Sequence, residues 1–337
     1  MMKRTNTIVF FLLIAFTNVF GQSNRFQQIT SKNGLSQSEV YSFLEDSSGF
    51  MWFGTLDGLN RYDGYNIITF NTEKGHPHSL SNNTIRSLAE DKYGRIWIGT
   101  DNGLCVYDST LEKIFQIGIS GYENLVLSIQ SILIEDDILF LSTTDGLLIS
   151  KLSSDKSDLI HLNFSSFDTP VVEGKIISQI IKANDGSFWF SDNYNLYQMY
   201  LGKSQDDYNI TKQLKSPRID FTKTLIEDFI GNIWIMTEND GFMRFNPQTK
   251  NIDFHSKDSK NKNISTKTSS AVSDKNGNLW IGTRDKGLMF LDVKSLNHSN
   301  PTFKKIQHNP FNSNSINSNL IFSLYVSRNN IVWVGTI

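Results

Sequence analysis

The chain alternates short apolar segments with polar turns, and one apolar phrase recurs along its length. All six tryptophans fall in this phrase, and Phe140 takes the place of the tryptophan in a seventh copy. The shortest step between copies, from Trp97 to Phe140, is 43 residues, and the longest, from Trp280 to Trp333, is 53. Intervals of this size are typical of the four-stranded blade of a β-propeller.

Each copy predicts the same four strands. An apolar segment such as VYSFLED predicts a buried inner strand, and the Asp-x-x-Gly that follows predicts a tight turn. The tryptophan phrase predicts the second strand, an Asp-Gly or Asn-Gly hairpin leads to the third, and phrases such as IITFN supply the fourth. No helical periodicity competes with this pattern. The predicted fold is therefore all-β, a seven-bladed β-propeller whose last blade is incomplete.

The conspicuous residues mostly recur once per copy, which predicts a structural role for them. We expect the aspartates to accept hydrogen bonds from turn amides, the indoles to cover the neighbouring blade, and the glycines to allow close approach. The set comprises Trp52, Trp97, Trp189, Trp234, Trp280, Trp333, Gly54, Gly99, Gly282, Asp46, Asp91, Asp228 and Asp274.

The seventh copy contains only two predicted strands before the sequence stops at Ile337. We expect residues 26–30 to serve as an outer strand beside residues 320–336, which leaves one strand missing. The sequence is interpreted as a fragment of a longer protein with a truncated seventh blade. The alternative is a natural terminus with a ragged last blade.

The first residues predict export. Lys3 and Arg4 precede an apolar run that is too short for a comfortable membrane span, and small polar residues follow around Gly21. We expect residues 1–21 to be a cleaved signal peptide and residues 22–337 to form the propeller in the periplasm. A retained signal anchor is the alternative.

Composition narrows the classes of partner and chemistry. The net charge is −2 with both signs interspersed, so no nucleic-acid partner is expected. The single cysteine, Cys105, excludes an internal disulfide. His76 and His78 form the one close histidine pair, but two ligands without a third make a weak metal signal, and a solvated loop is the favoured interpretation. No catalytic residue, metal or cofactor is predicted.

Candidate ligand contacts lie where the copies differ, near the start of the predicted inner strands. One position holds Tyr41, Arg86, Ser178, Lys223, Ser269 and Phe322, and the next holds Ser42, Ser87, Gln179, Thr224, Ser270 and Ser323. We expect these residues at a channel rim, where Tyr41 stacks on a hydroxyl-rich ligand while Arg86, Lys223 and Gln179 contact it. The alternative is a channel lined with bound water.

Residues 34–70, GLSQSEVYSFLEDSSGFMWFGTLDGLNRYDGYNIITF, resemble the two-component regulator propeller repeats of hybrid two-component sensors of Bacteroidetes. The resemblance implies a periplasmic sensor anchored in the inner membrane, with a second propeller, a β-sandwich, a cytoplasmic histidine kinase, a receiver and a DNA-binding domain. It also implies sensing of oligosaccharides and control of polysaccharide-utilisation genes through a phosphorelay. The kinase regions are absent here, so this chain is not expected to be an enzyme.

Two other classes of function stay open. A propeller enzyme of the lyase type would need a unique acid–base pair in the channel, seen as a histidine or carboxylate cluster that does not repeat. A purely structural propeller would bind no small molecule and would support a homodimer.

Overall fold

The fold is taken from a computed structural model that describes residues 26–122, 126–154, 162–166, 172–202, 207–216, 222–255, 265, 267–296 and 301–337. The predicted signal peptide, residues 1–21, lies outside these residues. Within them the secondary structure consists of β-strands and two short 3-10 turns, Ser31–Asn33 and Val293–Ser295, with no α-helix.

The strands form antiparallel sheets in which neighbours in the chain are neighbours in the sheet. The first three sheets are β1 (Val40–Glu45), β2 (Met51–Thr55), β3 (Gly58–Tyr62), β4 (Ile67–Phe70); β5 (Ile85–Glu90), β6 (Arg95–Thr100), β7 (Gly103–Asp108), β8 (Lys113–Ile117); and β9 (Ile129–Glu135), β10 (Ile138–Thr143), β11 (Gly146–Lys151), β12 (Ser165–Ser166). The next three are β13 (Ile180–Lys182), β14 (Phe188–Ser191), β15 (Asn195–Leu201), β16 (Tyr208–Lys215); β17 (Thr222–Glu227), β18 (Ile233–Thr237), β19 (Phe242–Phe245), β20 (Ile252–His255); and β21 (Thr268–Ser273), β22 (Leu279–Thr283), β23 (Leu288–Leu291), β24 (Lys304–Ile306). The last sheet has two strands, β25 (Ile321–Val326) and β26 (Val332–Thr336).

The first strands of successive sheets contact one another, and β25 contacts both β21 and β1. The sheets are therefore blades arranged around a common axis, with their first strands innermost. This confirms the predicted all-β propeller.

The described residues contain six complete blades rather than seven, with the pair β25–β26 between the sixth and the first. The expected outer strand at residues 26–30 does not form: Phe26 N donates to Asn314 O at 3.1 Å, but no residue of this segment is in a strand. A fourth strand pairs with a third strand, and among the described residues β26 pairs only with β25.

The recurring aspartates join the turn to the tryptophan. In the fifth blade, Asp228 Oδ1 accepts from Asn232 N at 2.9 Å while Oδ2 accepts from Trp234 Nε1 at 2.7 Å. The same pair of bonds occurs at Asp46, Asp91 and Asp274. The expected bonds to turn amides are confirmed, and the bond to the indole adds a contact that orients each tryptophan.

Three copies depart from this arrangement. Trp189 Nε1 donates instead to Ser187 Oγ at 2.9 Å, and Phe140 has no donor. At Trp333 the aspartate position holds Ser327, and the buried indole nitrogen of Trp333 has no hydrogen-bond partner among the described residues. The departures coincide with the copies whose motif is degenerate.

Adjacent blades are also joined by glutamates. Glu90 Oε2 accepts from Ser47 N of the first blade at 2.7 Å, and Glu227 Oε2 accepts from Asn184 N at 2.7 Å. Glu45 Oε2 accepts from Arg328 N at 2.6 Å, so the same bond links the two-stranded sheet to the first blade.

Candidate functional site

The variable position on the first strands is a β-bulge. In six first strands the pairing register shifts near the strand start, which leaves one residue opposite no partner. A bulge re-aims the side chain of the unpaired residue. The residues concerned are Tyr41, Arg86, Gln130, Lys223, Ser269 and Phe322.

Five of these residues are those that the sequence singled out, and Gln130 is new. The third copy lacks the Asp-x-x-Gly from which the position is counted, so the repeat pattern did not locate it. Ser178, the predicted equivalent in the fourth blade, precedes β13 and lies outside any strand.

Arg86 is held by a carboxylate and covers an aromatic ring. Its Nε and Nη2 donate to the two oxygens of Asp101 at 2.7 and 2.9 Å, and its guanidinium carbon lies 5.4 Å from the centroid of the Tyr41 ring. Burial opposes ionisation of Asp101, but the bonds from Arg86 and Ser128 outweigh it and lower the pKa of Asp101. Arg86 is therefore a fixed cation with one face on an aromatic ring.

Tyr41 and Phe322 form an aromatic pair across the junction between the last and first sheets. Their ring centroids are 5.0 Å apart, and the guanidinium carbon of Arg284 lies 5.3 Å from the Phe322 ring. The Tyr41 hydroxyl donates to Glu39 Oε2 at 3.3 Å. Burial, together with Glu39, raises the pKa of Tyr41, so its hydroxyl stays a neutral donor.

Polar contacts extend the site to both sides. Gln130 Nε2 donates to Ser128 Oγ at 2.8 Å, and Ser128 Oγ donates to Asp101 Oδ1 at 3.0 Å. On the other side, Lys223 Nζ lies 2.9 Å from Glu238 Oε2. The bond from Lys223 lowers the pKa of Glu238, and Arg284 acts on it in the same direction.

We call the connected set the rim cluster. It comprises Glu39, Tyr41, Arg86, Asp101, Ser128, Gln130, Lys223, Glu238, Arg284 and Phe322. Its three cationic side chains match its three anionic ones, so the cluster as a whole carries no net charge. The ion pairs Arg86–Asp101 and Lys223–Glu238 keep about a third of each side chain exposed. Donors, acceptors and aromatic rings are thus accessible together on a neutral surface.

The adjacent row of side chains joins blades. Ser87 Oγ donates to Ile129 O at 3.4 Å, Thr224 Oγ1 donates to Ser269 O at 3.3 Å, and Ser323 Oγ donates to Val40 O. In the same row, Gln179 Oε1 accepts from Leu225 N of the next blade at 2.8 Å. Of the four predicted ligand contacts, Tyr41, Arg86 and Lys223 belong to the rim cluster, while Gln179 takes part in a blade junction.

The histidine pair lies in a loop apart from the rim cluster. His76 Nδ1 lies 3.9 Å from Glu73 Oε2, both well exposed, and His78 packs edge-on against Phe115 at 5.0 Å. In the part of the chain that the structure describes, no group of three or more His, Cys, Asp or Glu side chains is placed to hold a metal ion. None of the same residues belongs to a helix long and apolar enough to cross a membrane.

His255 is buried in the core instead. Its ring stacks on Trp234 at a centroid distance of 5.4 Å. Burial, and secondly the nearby Arg244, lowers the pKa of His255 to about 4. This histidine is a neutral packing residue at ordinary pH.

Comparison with known families supports the repeat assignment. The model of the two-component regulator propeller family matches residues 34–57, 79–102 and 263–285. A curated relative, Histidine kinase P4 of Formosa agariphila, is 36% identical over 72 residues, which is 21% of this chain and 5% of that protein. The resemblance to two-component regulator propeller repeats is confirmed.

Solved structures show the same fold. The extracellular domain attributed to the hybrid two-component system BT3049 of B. thetaiotaomicron is 22% identical with a TM-score of 0.72, over 92% of this chain and 40% of that one. The extracellular domain attributed to the one-component system BT4673 of the same organism is 25% identical with a TM-score of 0.70, over 93% of this chain and 39% of that one. The chain therefore spans about two fifths of these structures and a twentieth of the curated kinase.

Proposed function

We propose that this chain is a ligand-binding propeller of a periplasmic sensor in a hybrid two-component signalling protein, and that its rim cluster binds a neutral oligosaccharide. The observation that carries the proposal is the Tyr41–Phe322 pair, flanked by Arg86 and Arg284 and surrounded by matched charges. The histidine kinase, receiver and DNA-binding functions would reside in other domains of the parent protein.

The chemistry of the cluster suits a sugar. The rings of Tyr41 and Phe322 are partly exposed, and an aromatic ring of this kind packs against the apolar C–H face of a pyranose. Planar amide, carboxylate and guanidinium groups exchange hydrogen bonds with its hydroxyls. Two of the three cations of the cluster, Arg86 and Lys223, are already paired, so an acidic group that bound either of them would have to displace Asp101 or Glu238. The cluster thus favours an uncharged ligand over an acidic one.

The lyase-type alternative is less well supported by the cluster. Acid–base catalysis needs a titratable group whose pKa is poised near the working pH. The rim cluster contains no histidine, and the pKa values of Asp101 and Glu238 are lowered by their cationic partners. The other alternative is a structural propeller that supports a homodimer and binds no small molecule. The binding experiment below distinguishes it from the proposed sensor.

The test is calorimetric titration of the protein with a panel of neutral and acidic oligosaccharides, alongside Tyr41→Ala and a control, Tyr65→Ala. Tyr65 is 91% exposed and lies in a turn outside the cluster. We expect a neutral oligosaccharide to bind, Tyr41→Ala to lose that binding, and Tyr65→Ala to keep it. Absence of binding across the panel would contradict the glycan proposal, and equal binding by both variants would contradict the site.

A further inference from the structure

The position one residue after the repeated threonine carries a charged side chain in three blades. In the second and fifth blades it holds Asp101 and Glu238, and each carboxylate pairs with the bulge residue of its own blade, Arg86 or Lys223. In the sixth blade the same position holds Arg284. A cation therefore lies where the other two blades have a carboxylate.

The backbone at this position is the same in the three blades. In each of them the pairing register shifts directly after the residue that pairs with the threonine. Arg284 N donates to Lys267 O at 2.9 Å, as Asp101 N donates to Thr84 O at 3.1 Å. The bulge residue of the sixth blade is Ser269, so this blade offers Arg284 no carboxylate of its own. The sixth blade differs in side chains and not in backbone.

The side chain of Arg284 has no polar partner. Its guanidinium makes no hydrogen bond or ion pair with any residue that the structure describes, and its buried Nε–H is left unsatisfied. Its guanidinium carbon lies 5.3 Å from the centroid of the Phe322 ring. A buried donor without a partner costs free energy, so an acceptor from water or a ligand normally completes it. Arg284 is therefore available to donate to a group from outside the chain.

The charges around the aromatic pair disfavour an anionic group at Arg284. Glu39 has no cationic partner among the described residues, and its carboxylate lies 3.3 Å from the Tyr41 hydroxyl, on the other member of the pair. A carboxylate bound at Arg284 would be repelled by Glu39 and by Glu238. An uncharged group that offers an acceptor to Arg284 and a donor to Glu39 suits both.

We propose that Arg284 determines the specificity of the rim cluster and selects an acetamido sugar within the bound oligosaccharide. This inference rests on the neutral oligosaccharide ligand proposed above. The acetamido carbonyl accepts hydrogen bonds from Arg284 without bringing a hydrogen of its own, which a hydroxyl would do. The acetamido N–H is a donor for Glu39, and its methyl group packs against the Phe322 ring.

The first test measures the binding of methyl glycosides to the protein by saturation-transfer NMR. N-acetylglucosamine is compared with glucose and N-acetylgalactosamine with galactose, so that each pair differs only in an acetamido group in place of a hydroxyl. We expect the acetamido member to bind about tenfold or more tightly, as is usual for a hydrogen bond to a charged group. Equal affinity within both pairs, or no binding of either acetamido glycoside, would overturn the inference. The proposed function would then still be decided by the oligosaccharide panel.

The second test uses Arg284→Met, which removes the donors and keeps a long side chain. The variant should fold, because the guanidinium has no hydrogen-bond partner among the described residues, and it should bind the two members of each pair alike. The control, Lys305→Met, removes an exposed cation from β24 of the same blade and should keep the preference. A preference that persists in Arg284→Met would overturn the inference. Tighter binding of a methyl glucuronide that is lost in Arg284→Met would overturn it in favour of a carboxylate ligand.

Discussion

Two rows of side chains lie one residue apart on the first strands and follow opposite rules. The first row holds the bulge residues. Its residue type differs in almost every blade, as in Tyr41, Arg86 and Lys223, and it supplies five members of the rim cluster. The adjacent row holds mostly serine and threonine, and Ser87, Thr224 and Ser323 bond to the backbone of the next blade.

The difference follows from the bulge. A paired residue on an inner strand must fit between two blades, and only small hydroxyl side chains do so under the close approach of residues such as Gly54 and Gly99. The unpaired residue is freed from that constraint, so its side chain can vary without cost to the ring. Repeated positions hold the ring together, while the bulge position is available for recognition.

The largest loss of stability is expected from Asp228→Ala, which changes a repeated position. The substitution removes the acceptor of the Trp234 indole and of two turn amides, all in a carboxylate site that is 2% exposed. Buried donors left without partners cost about 1–3 kcal/mol each, so we expect a loss of about 3 kcal/mol or more. Urea unfolding measures this loss, and Asp63→Ala, at an exposed turn, serves as the control with a smaller effect.

A second large loss of stability is expected when the pH is lowered. The pKa of His255 is about 4 in the folded protein and about 6.5 when the chain is unfolded. The depressed value means that the stabilising effect of neutral His255 is complete above about pH 6.5 and is lost as pH falls towards 4, by up to about 3 kcal/mol.

The check on this prediction is the unfolding free energy between pH 7 and pH 4 for the protein and for His255→Phe. The variant should lose stability less steeply over this interval. Parallel curves would show that His255 is not the group responsible.

A smaller loss is expected where blades approach most closely. A Cβ at Gly99 would lie 2.3 Å from Ser87 Oγ and 2.9 Å from Ile129 Cγ2, whereas one at Gly118 would meet nothing within 4 Å. Overpacking of this kind costs about 1–3 kcal/mol, so Gly99→Ala should be destabilised and Gly118→Ala should not. Indistinguishable urea midpoints for the two variants would refute the account of the blade junction.

The smallest effect on stability is expected in the rim cluster. Lys223 and Glu238 are each about a third exposed, and ion pairs of this kind contribute about 0–1 kcal/mol. Lys223→Gln should therefore unfold within about 1 kcal/mol of the parent protein while its ligand binding weakens. A loss of stability as large as that of Asp228→Ala would place Lys223 in the framework.

Much of the fold can be predicted from the sequence because each blade packs in the same way and therefore needs the same residues at the same spacing. The spacing of the tryptophans, the turn aspartates and the start of the inner strands all predict the observed sheets. The local pattern of residues 26–30 predicts a strand, but a strand forms only beside a pairing partner, which a local pattern does not show. The sequence does not predict the bond between the indole and the aspartate either, because that bond forms only when the turn brings the second strand back beside the aspartate.

Part of the site can also be predicted from the sequence, because a repeated position makes any departure from it visible. Tyr41, Arg86 and Lys223 stand out as departures from a repeated position. Asp101, Glu238 and Arg284 lie one residue after the repeated threonine, and only the pairing of β-strands brings them opposite the bulge residues. Gln179 differs from its row because a longer side chain there reaches the next blade, which composition alone does not show.

The most direct test compares two adjacent residues, Arg86→Gln and Ser87→Ala, by calorimetric titration with the oligosaccharide that binds the parent protein. Arg86 belongs to the rim cluster and Ser87 to the blade junction. We expect Arg86→Gln to lose affinity by about tenfold or more, as is usual for a charge-assisted contact, and Ser87→Ala to bind as the parent protein does. Equal affinities for the two variants, or the larger loss in Ser87→Ala, would contradict the separation between a repeated framework and a variable binding rim.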